Sequence, residues 1–377
     1  MERLMPAGNP CSQRHGGNLN QAAHRLACRP GQLLDASASL VPFGPPGLLL
    51  GLGLGLGLLN QQVRAYPDRT HATLRAAMAR IHGLDPAWVL PGNGAAELFT
   101  WVARDAAACG VSAVPAPGFA DYGRALACWG GAGVPWPLPL HWDGAFPQPL
   151  SPPPTATVLW ITNPHNPTGQ LWSRASIEPL LADHRLVIVD EAFLPLVPGG
   201  EAQSLIPLVE HHPNLVVLRS LTKLYGMAGL RLGYAVGEPQ RLQRWASWRD
   251  PWPVNGIAAA VGERLLRNPG RYRRHCERVQ RWTAREGAWL SQRIGALQGP
   301  VGRLTPLPSA ANYLLLHAET SLGPLREAME GRHLILLRDC QSFEGLGANW
   351  LRIGYQSRRG NRRLMGALQQ VWASQRG

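Results

Sequence analysis

The chain has 377 residues and is strongly basic, with 37 lysine and arginine residues against 24 acidic ones. A hydrophobic content of 45% and a charged content of 16% exclude a disordered protein, and the length allows two or three domains with large cores. The six cysteines are scattered without a C-x-x-C pair, which argues against a zinc or other metal site and favours a reducing, cytoplasmic compartment. The first ten residues lack an apolar core, so we expect no signal peptide.

The basic residues are almost all arginines. Lys223 is the only lysine, and the other 36 basic side chains are arginines. Arginine cannot replace lysine where a deprotonated amine is needed, because the guanidinium group stays charged and is a poor nucleophile. Lys223 is therefore a candidate catalytic residue, and a chance outcome of the composition is the alternative interpretation.

The formal charge of +13 raises the question of a nucleic-acid partner. The arginines are densest between Arg241 and Arg303, where apolar residues such as Val261, Leu265 and Trp282 recur between them. This spacing is typical of the solvated face of an amphipathic helix. We therefore expect no nucleic-acid partner, and a DNA-binding regulator is the alternative from another functional class.

One low-complexity segment, Gly47–Leu59, consists of glycine and leucine only. Its thirteen residues fall short of the roughly 20 that a membrane-spanning helix needs, and repeated glycine weakens a helix. We predict a segment packed on the protein and no membrane span, with a peripheral membrane contact as the alternative.

The segments that follow alternate between helices and short apolar strands. Apolar spacing predicts helices at Thr70–His82 and at Ala95–Ala108, the second after a turn at Pro91–Gly94. Apolar runs predict strands at Val111–Pro115, Val158–Thr162, Leu186–Asp190, Leu215–Arg219 and Leu232–Val236. This alternation is typical of an α/β fold in which helices cover both faces of a mostly parallel sheet.

The C-terminal part is predicted to form a smaller α+β domain. Gly130–Pro154 is expected to be a long connection with an edge hairpin, and one long helix is expected from Asn255 to about Ile294. Strands are predicted at Tyr313–Leu316, Ile335–Arg338 and Trp350–Ile353, before a closing helix. The predicted organisation is an N-terminal segment (1–60) packing with the small domain, a large domain (61–254), and a connecting helix with the small domain (255–377).

Three of the predicted strands end in polar residues, at the edge where parallel sheets bind their ligands. These residues are Asn166 after the first strand, Asp190 at the end of the second, Ser220, Thr222 and Lys223 after the third, and Arg231 shortly beyond. They provide an amine, a carboxylate, an amide and an anion site. Pyridoxal 5′-phosphate fits this set, because its aldehyde forms an imine with lysine and its ring nitrogen pairs with an acid.

Four motifs in this order resemble the aspartate aminotransferase superfamily of fold-type-I pyridoxal-phosphate enzymes. They are N-P-H-N-P-T-G (163–169), D-E-A-F (190–193), S-L-T-K (220–223) and G-L-R-L-G-Y (229–234). Within the superfamily, the chain is most similar to the threonine-phosphate decarboxylases of the cobalamin pathway, and then to histidinol-phosphate aminotransferases. The decarboxylase likeness is carried by H-G-G-N (15–18), L-D-x-S-A (34–38), R-x-Y-P-D (64–68), G-N-G-x-x-E (92–97) and P-G-F-x-x-Y-G-R-A (117–125), and by Phe193 where aminotransferases usually have Tyr.

The resemblance implies roles for the residues that hold the cofactor. Lys223 would form the imine and then act as acid and base at the substrate carbon, and Asp190 would keep the ring nitrogen protonated. Asn166 would donate to the ring 3-oxygen. Tyr122 would stack on the ring, with a core aromatic as the alternative interpretation. The cofactor phosphate would be held by Ser220, Thr222, Arg231 and the backbone amides of Gly94, Ala95 and Ala96.

The resemblance also implies contacts with the substrate and with a second subunit. Arg352 would bind the substrate carboxylate and Arg338 a further substrate anion, although a surface cation is the alternative for Arg338. His15 and Asn166 would also lie at the substrate. Tyr66 would reach the cofactor phosphate of a partner subunit, which implies a homodimer.

The expected reaction is decarboxylation of O-phospho-L-threonine to an aminopropanol phosphate for cobalamin biosynthesis. The alternative is an aminotransferase of the histidinol-phosphate type. Ser39 and Val41 stand where the relatives commonly have Asn, and this departure concerns the identity of the substrate more than cofactor binding.

Overall fold

The computed structural model describes residues 16–44 and 62–374. Its strands are β1 (Leu34–Asp35), β2 (Val89–Asn93), β3 (Ser112–Ala116), β4 (Gly133–Pro137), β5 (Val158–Thr162), β6 (Leu186–Asp190), β7 (Leu215–Ser220), β8 (Leu232–Gly237), β9 (Gln298–Gly299), β10 (Gly302–Arg303), β11 (Thr305–Pro306), β12 (Tyr313–His317), β13 (Ile335–Leu336), β14 (Arg338–Asp339) and β15 (Trp350–Gly354).

Helices alternate with these strands along most of the chain. The α-helices with defined bounds are α1 (Leu19–Arg25), α2 (Ala72–His82), α3 (Gly94–Cys109), α4 (Ala120–Ala127), α5 (Arg174–Ile177), α6 (Leu180–Asp183), α7 (Leu221–Tyr225), α8 (Pro239–Trp248), α9 (Gly256–Leu266), α10 (Pro269–Gly295), α11 (Gly323–His333) and α12 (Arg358–Ser374). Short 3₁₀ helices lie at Pro30–Gln32, Pro86–Trp88, Leu194–Leu196, Gly200–Gln203, Ile206–Leu208 and Ala228–Leu230.

A seven-stranded sheet forms the centre of the part of the chain between residues 89 and 237. Its strand order is β2-β8-β7-β6-β5-β3-β4, and β8 runs antiparallel to both of its neighbours while the other neighbouring strands pair in parallel. The expectation of a mostly parallel sheet within an α/β fold is therefore confirmed.

Both faces of the central sheet are covered, which explains why its strands are apolar throughout. Successive side chains of a strand point to opposite faces. On one face Trp160 and Ile188 pack with residues of α3, α4 and α8. On the other face Ile161 and Val189 belong to a core that extends to α2, α9 and α10. This double burial leaves the strand ends as the place where polar residues of the sheet meet solvent.

The C-terminal part forms a second, smaller sheet. Its four antiparallel strands have the order β11-β12-β15-β14. Helix α10 packs against β11 and β12, and α12 packs against α10 and α11. The N-terminal segment joins this part through β1, which pairs in parallel with β13, and through a hydrogen bond of 3.0 Å from Gln356 Nε2 to the carbonyl of Asp35.

Three of the local predictions that were wrong involve a proline or a glycine. The turn predicted at Pro91–Gly94 is largely strand β2, and the hairpin predicted within Gly130–Pro154 is replaced by the single parallel strand β4. Both strands lie at the edges of the sheet, where a proline is tolerated because its missing N–H leaves no inner ladder bond unmade. The long helix predicted from Asn255 is two helices, because Asn268 caps α10 and Pro269 opens it.

The predicted Ile335–Arg338 strand is likewise divided into β13 and β14, which belong to different sheets. None of the helices in the described ranges is long and apolar enough to cross a membrane. The glycine-leucine run Gly47–Leu59 lies outside the described residues, so the prediction made for it stays a prediction.

Candidate active site

The polar strand ends meet because β5, β6 and β7 are parallel and in register. Thr162 pairs with Asp190, and Asp190 pairs with Leu218, so the segments that follow the three strands leave the sheet at one edge. A cavity of about 280 Å³ lies there. Ten of the predicted residues line it: Ala95, Ala96, Asn166, Asp190, Ser220, Thr222, Lys223, Arg231, Arg338 and Arg352.

Asp190 is buried at the end of β6 and receives two hydrogen bonds. The Tyr122 hydroxyl donates to its Oδ2 at 2.7 Å, and the Ala192 N–H donates to its Oδ1 at 3.0 Å. Burial raises the pKa of Asp190 to about 6, although these donors and the Lys223 ammonium favour the charged form. A protonated ring nitrogen placed beside this carboxylate would offset the same burial cost.

Tyr122 does not have the stacking role that the resemblance implied. Its ring is fully buried, does not line the cavity, and contacts Phe99, Phe119 and Trp160. Its hydroxyl lies 2.8 Å from Thr162 Oγ1 as well as donating to Asp190. Tyr122 is thus a core aromatic residue that holds Asp190 by a hydrogen bond from the side facing the core. The spacing of the buried residues Tyr122, Ala125 and Leu126 along α4 is the signal that places it on the core side.

Lys223 lies in α7, the five-residue helix that begins directly after β7. Burial, together with the charges of Arg352 and Arg231, lowers the pKa of its amine to about 8, whereas Asp190 acts in the opposite direction. The amine lies 5.3 Å from the centre of the Phe193 ring. Near neutral pH a larger fraction of this amine is uncharged than in an ordinary lysine, and nucleophilic attack on an aldehyde requires the uncharged form.

Asn166 is oriented by an arginine from the small sheet. Arg352 Nη1 donates to Asn166 Oδ1, and Arg352 Nη2 donates to the carbonyl of Ser37 at 3.3 Å. Because a guanidinium group only donates, the Asn166 oxygen faces it and the amide NH₂ is the group left to donate to a ligand. This is the group that the predicted contact with a ring oxygen needs.

The predicted phosphate site combines a helix N-terminus with hydroxyl and guanidinium groups. Ala95 and Ala96 lie in the first turn of the sixteen-residue helix α3, whose free N–H groups and dipole favour an anion. Ser220, Thr222 and Arg231 line the same cavity. Gly94 has φ +71°, and a Cβ built there would lie 2.6 Å from Arg231 Nη2, so glycine is what allows the helix end and the guanidinium group to approach.

Arg338 and Arg352 are direct neighbours across β14 and β15. Both are buried, at 4% and 6% exposure, and both line the cavity, so the interpretation of Arg338 as a surface cation is wrong. The centre of the Phe343 ring lies 5.0 Å from the Arg338 guanidinium carbon and 6.0 Å from that of Arg352. Burial and the neighbouring Arg352 lower the pKa of Arg338 to about 10.

Glu191, next to Asp190, belongs to a structural ion network and does not line the cavity. It is fully buried and 2.7 Å from Arg219 Nη2, and it accepts a hydrogen bond of 2.8 Å from Ser204 Oγ. Arg219 also pairs with Glu201 at 2.7 Å. A buried charge is tolerated when it is paired and hydrogen-bonded, which is the case for both members of this pair.

Several residues that line the cavity were not singled out from the sequence. They are Gly16, Ser37, Ala38, Phe99, Phe119, Asp121, Thr162, Ala192 and Phe343. Phe119 could have been predicted from the sequence, because it precedes α4 in the same motif as Tyr122. His15 lies outside the described residues, and Tyr66 is exposed and does not line this cavity, so their roles stay predictions.

The chemistry of the lining fits a phosphorylated aromatic aldehyde. Within the described residues no cluster of His, Cys, Asp or Glu suits a metal ion, whereas a lysine, a carboxylate and an anion site with a helix N-terminus share one cavity. Pyridoxal phosphate requires of a protein a lysine, an acid beside the ring nitrogen and an anion site for its phosphate. Fold and cavity together define a pyridoxal-phosphate enzyme.

Comparison with known proteins agrees with this assignment. The profile of the family "Aminotransferase class I and II" matches residues 57–368. Threonine-phosphate decarboxylase of Salmonella typhimurium is 34% identical over 369 residues, with 95% of this chain and 96% of that protein covered. Histidinol-phosphate aminotransferase of Symbiobacterium thermophilum is 34% identical over 317 residues, with 81% and 82% covered.

A solved structure extends the comparison to the fold. Histidinol-phosphate aminotransferase of Sinorhizobium meliloti, in complex with pyridoxal 5′-phosphate, has a TM-score of 0.77 and 22% identity, with 98% of each chain covered. The chain belongs to the class I and II aminotransferase family. Its cofactor is pyridoxal 5′-phosphate, as expected from the sequence.

Replacing Gly94 by alanine tests the phosphate cradle. The new Cβ would displace the Arg231 guanidinium group and strain a backbone with φ +71°. Loss of one charge-assisted hydrogen bond predicts a Kd for pyridoxal phosphate at least about tenfold weaker, measured by fluorescence titration of the apoprotein. Gly123→Ala in α4 is the control, because a Cβ there meets nothing within 4 Å. Equal affinity in both variants would contradict the cradle.

The lowered pKa of Lys223 predicts the pH dependence of covalent cofactor attachment. The uncharged amine is the reactive form, so the attachment rate of the apoprotein should rise about tenfold per pH unit below the pKa and level off above about 8. Arg352→Gln removes a cation, raises the pKa of Lys223 and should move the profile to higher pH. Stopped-flow absorbance measures the rate, and the exposed Arg271→Gln is the control. A profile that is flat between pH 6 and 9 would contradict the assigned pKa.

Proposed function

We propose that the chain is a pyridoxal-phosphate-dependent decarboxylase that converts O-phospho-L-threonine to an aminopropanol phosphate for cobalamin biosynthesis. The observation that carries this proposal is the pair Arg338 and Arg352. Both side chains are buried on neighbouring strands and line the same cavity. Two guanidinium groups in one cavity suit a substrate with two anionic groups, and phosphothreonine has a carboxylate and a phosphate.

The relatives support the same substrate class. The match to threonine-phosphate decarboxylase extends over 95% of this chain. In this proposal Arg352, which also orients Asn166, binds the carboxylate, and Arg338 binds the phosphate. Arginine suits both groups because its planar fork donates two parallel hydrogen bonds to one anion.

The remaining residues act on the cofactor and on protons. Bound pyridoxal phosphate supplies an electron sink that weakens the bonds at the substrate α-carbon. Asp190 holds the proton at the ring nitrogen, with Tyr122 and the Ala192 N–H keeping the carboxylate in place. Lys223 would hold the cofactor and would move a proton at the substrate α-carbon. Which bond at the α-carbon breaks would depend on how Arg338 and Arg352 orient the two anions of the substrate.

The second candidate is an aminotransferase of the histidinol-phosphate type. It is favoured by the identity of 34% with a histidinol-phosphate aminotransferase over 81% of this chain. Histidinol phosphate has a single anionic group, its phosphate, which would bind one of the two arginines. The second arginine would then have to bind the other substrate of the transamination, the amino acid or 2-oxo acid that exchanges the amino group. Product analysis separates the two candidates.

We also propose a homodimer in which Tyr66 contacts the cofactor phosphate of the partner. Tyr66 is 79% exposed and stacks on Trp252 with ring centroids 4.3 Å apart. It lies outside the lining of its own cavity. An aromatic side chain held rigidly but exposed is suited to a contact with another subunit.

Product analysis with O-phospho-L-threonine tests the reaction. The purified protein with bound cofactor should release carbon dioxide in the absence of any 2-oxo acid, and mass spectrometry should detect an aminopropanol phosphate. Arg338→Gln should raise KM for the phosphorylated substrate by about tenfold or more, because a charged hydrogen-bond partner is lost. Amino-group transfer to a 2-oxo acid without carbon dioxide release would instead establish the aminotransferase.

Replacement of the single lysine tests the central residue. Lys223→Ala should abolish covalent attachment of the cofactor, seen as loss of the lysine-linked absorbance and of a borohydride-fixed adduct in mass spectrometry. Lys223→Arg is the matched control for charge, and it should fail in the same way because guanidinium does not form the link. Retained covalent attachment in Lys223→Ala would overturn the assignment of the site.

A further inference from the structure

The turn that carries Lys223 is short and needs support from outside. Helix α7 has five residues and is followed by Gly226, its C-cap residue, which has φ +63°. Within the turn, the N–H groups of Gly226 and Met227 both donate to the carbonyl of Thr222. A helix this short has little stability of its own, so the position of the amine depends on what packs against the turn.

One side chain contacts both residues that follow Lys223. His275 Nε2 lies 2.9 Å from the carbonyl oxygen of Leu224. The His275 ring also stacks on the ring of Tyr225, with centroids 4.4 Å apart and an interplanar angle of 4°. His275 and Tyr225 are both buried, so neither contact is weakened by competition from water.

The hydrogen bond fixes the tautomer of His275. A carbonyl oxygen only accepts, so Nε2 carries the hydrogen, and Nδ1 is buried without a partner among the described residues. Burial also lowers the pKa of His275. The side chain is therefore a neutral imidazole that donates from Nε2 to the end of the lysine turn.

His275 connects this turn to the long helix of the C-terminal part. It lies in α10, whose 27 residues reach from the large domain to the small sheet. Phe43 packs edge-on against the same imidazole at 6.2 Å, and a Cβ at Gly226 would lie 2.9 Å from the carbonyl of Val41. The lysine turn is thus enclosed by α10 on one side and by the N-terminal segment on the other.

We propose that His275 is a positioning residue for Lys223: through the Leu224 carbonyl and the Tyr225 ring it fixes the turn that presents the amine, and ties that turn to α10. The inference rests on the proposed role of Lys223 as the cofactor-linked amine, and it does not depend on which substrate is used. The arginines that hold the substrate are on β14 and β15, so loosening the turn affects proton transfer by the amine and leaves substrate binding unchanged.

Three substitutions separate the two contacts of His275. His275→Phe retains a ring that can stack on Tyr225 but removes the donor. His275→Gln retains an N–H donor that can reach the Leu224 carbonyl but removes the ring, and His275→Ala removes both. Val279→Ala, one helical turn further along α10 and also fully buried, is the control for general loss of core packing.

Each variant is purified with its cofactor, and three quantities are measured. They are the pH midpoint of the absorbance change of the lysine-linked cofactor, kcat and KM with the substrate found active, and the melting temperature. We expect His275→Phe and His275→Ala to shift the midpoint and to lower kcat by about tenfold or more, with KM within about twofold of the wild type. His275→Gln should recover most of kcat, and Val279→Ala should lower the melting temperature without shifting the midpoint.

Two results would overturn the proposal. The first is a midpoint and a kcat in His275→Phe that equal those of the wild type, which would show that the hydrogen bond to Leu224 does not position Lys223. The second is an equal shift of the midpoint in Val279→Ala, which would make the effect one of general destabilisation. If O-phospho-L-threonine is not a substrate, the absorbance midpoint still tests His275, so this failure is distinguishable from failure of the proposed reaction.

Discussion

The parallel register of β5, β6 and β7 is the constraint on which the rest of the site depends. Because Thr162, Asp190 and Leu218 lie side by side across the three strands, the segments that follow them emerge at one edge of a sheet buried on both faces. This register is what brings Asn166, Asp190 and Lys223 together, because they are far apart in sequence. A shift of one strand by one residue would turn Asp190 toward the opposite face.

Burial gives the two central ionisable groups opposite shifts. It raises the pKa of Asp190 to about 6 and lowers that of Lys223 to about 8, because burial disfavours the charged form of each. Around them the cavity is rich in cations, with Arg231, Arg338 and Arg352 in its lining. A cavity of this kind is suited to ligands that bring negative charge, which a phosphorylated cofactor and a doubly anionic substrate both do.

Much of the fold and about half of the cavity lining were predictable from the sequence, for local reasons. Strands β5 and β6 were predicted to the residue, since continuous apolar runs between polar ends are typical of buried parallel strands. The edge strands β2 and β4 were missed because Pro and Gly resemble turn signals. Tyr122 was assigned to the wrong surface because a motif shows which residues recur but not toward which side of a helix they point. Phe119 and Phe343 were missed because an isolated aromatic residue in a loop has no periodic pattern to reveal it.

The sequence by itself determined the class of chemistry. It provides a single lysine among 36 arginines, placed after a strand with Ser220 and Thr222, and an acid ending the strand before it. Only the tertiary structure decided the partners: Tyr122 donates to Asp190, Arg338 lies opposite Arg352, and His275 supports the turn that carries Lys223. The reason is physical. Spacing along a chain encodes the face of one helix or strand, whereas these contacts join residues far apart in sequence, as Arg352 and Asn166 are by 186 positions, and they form only when separate elements pack.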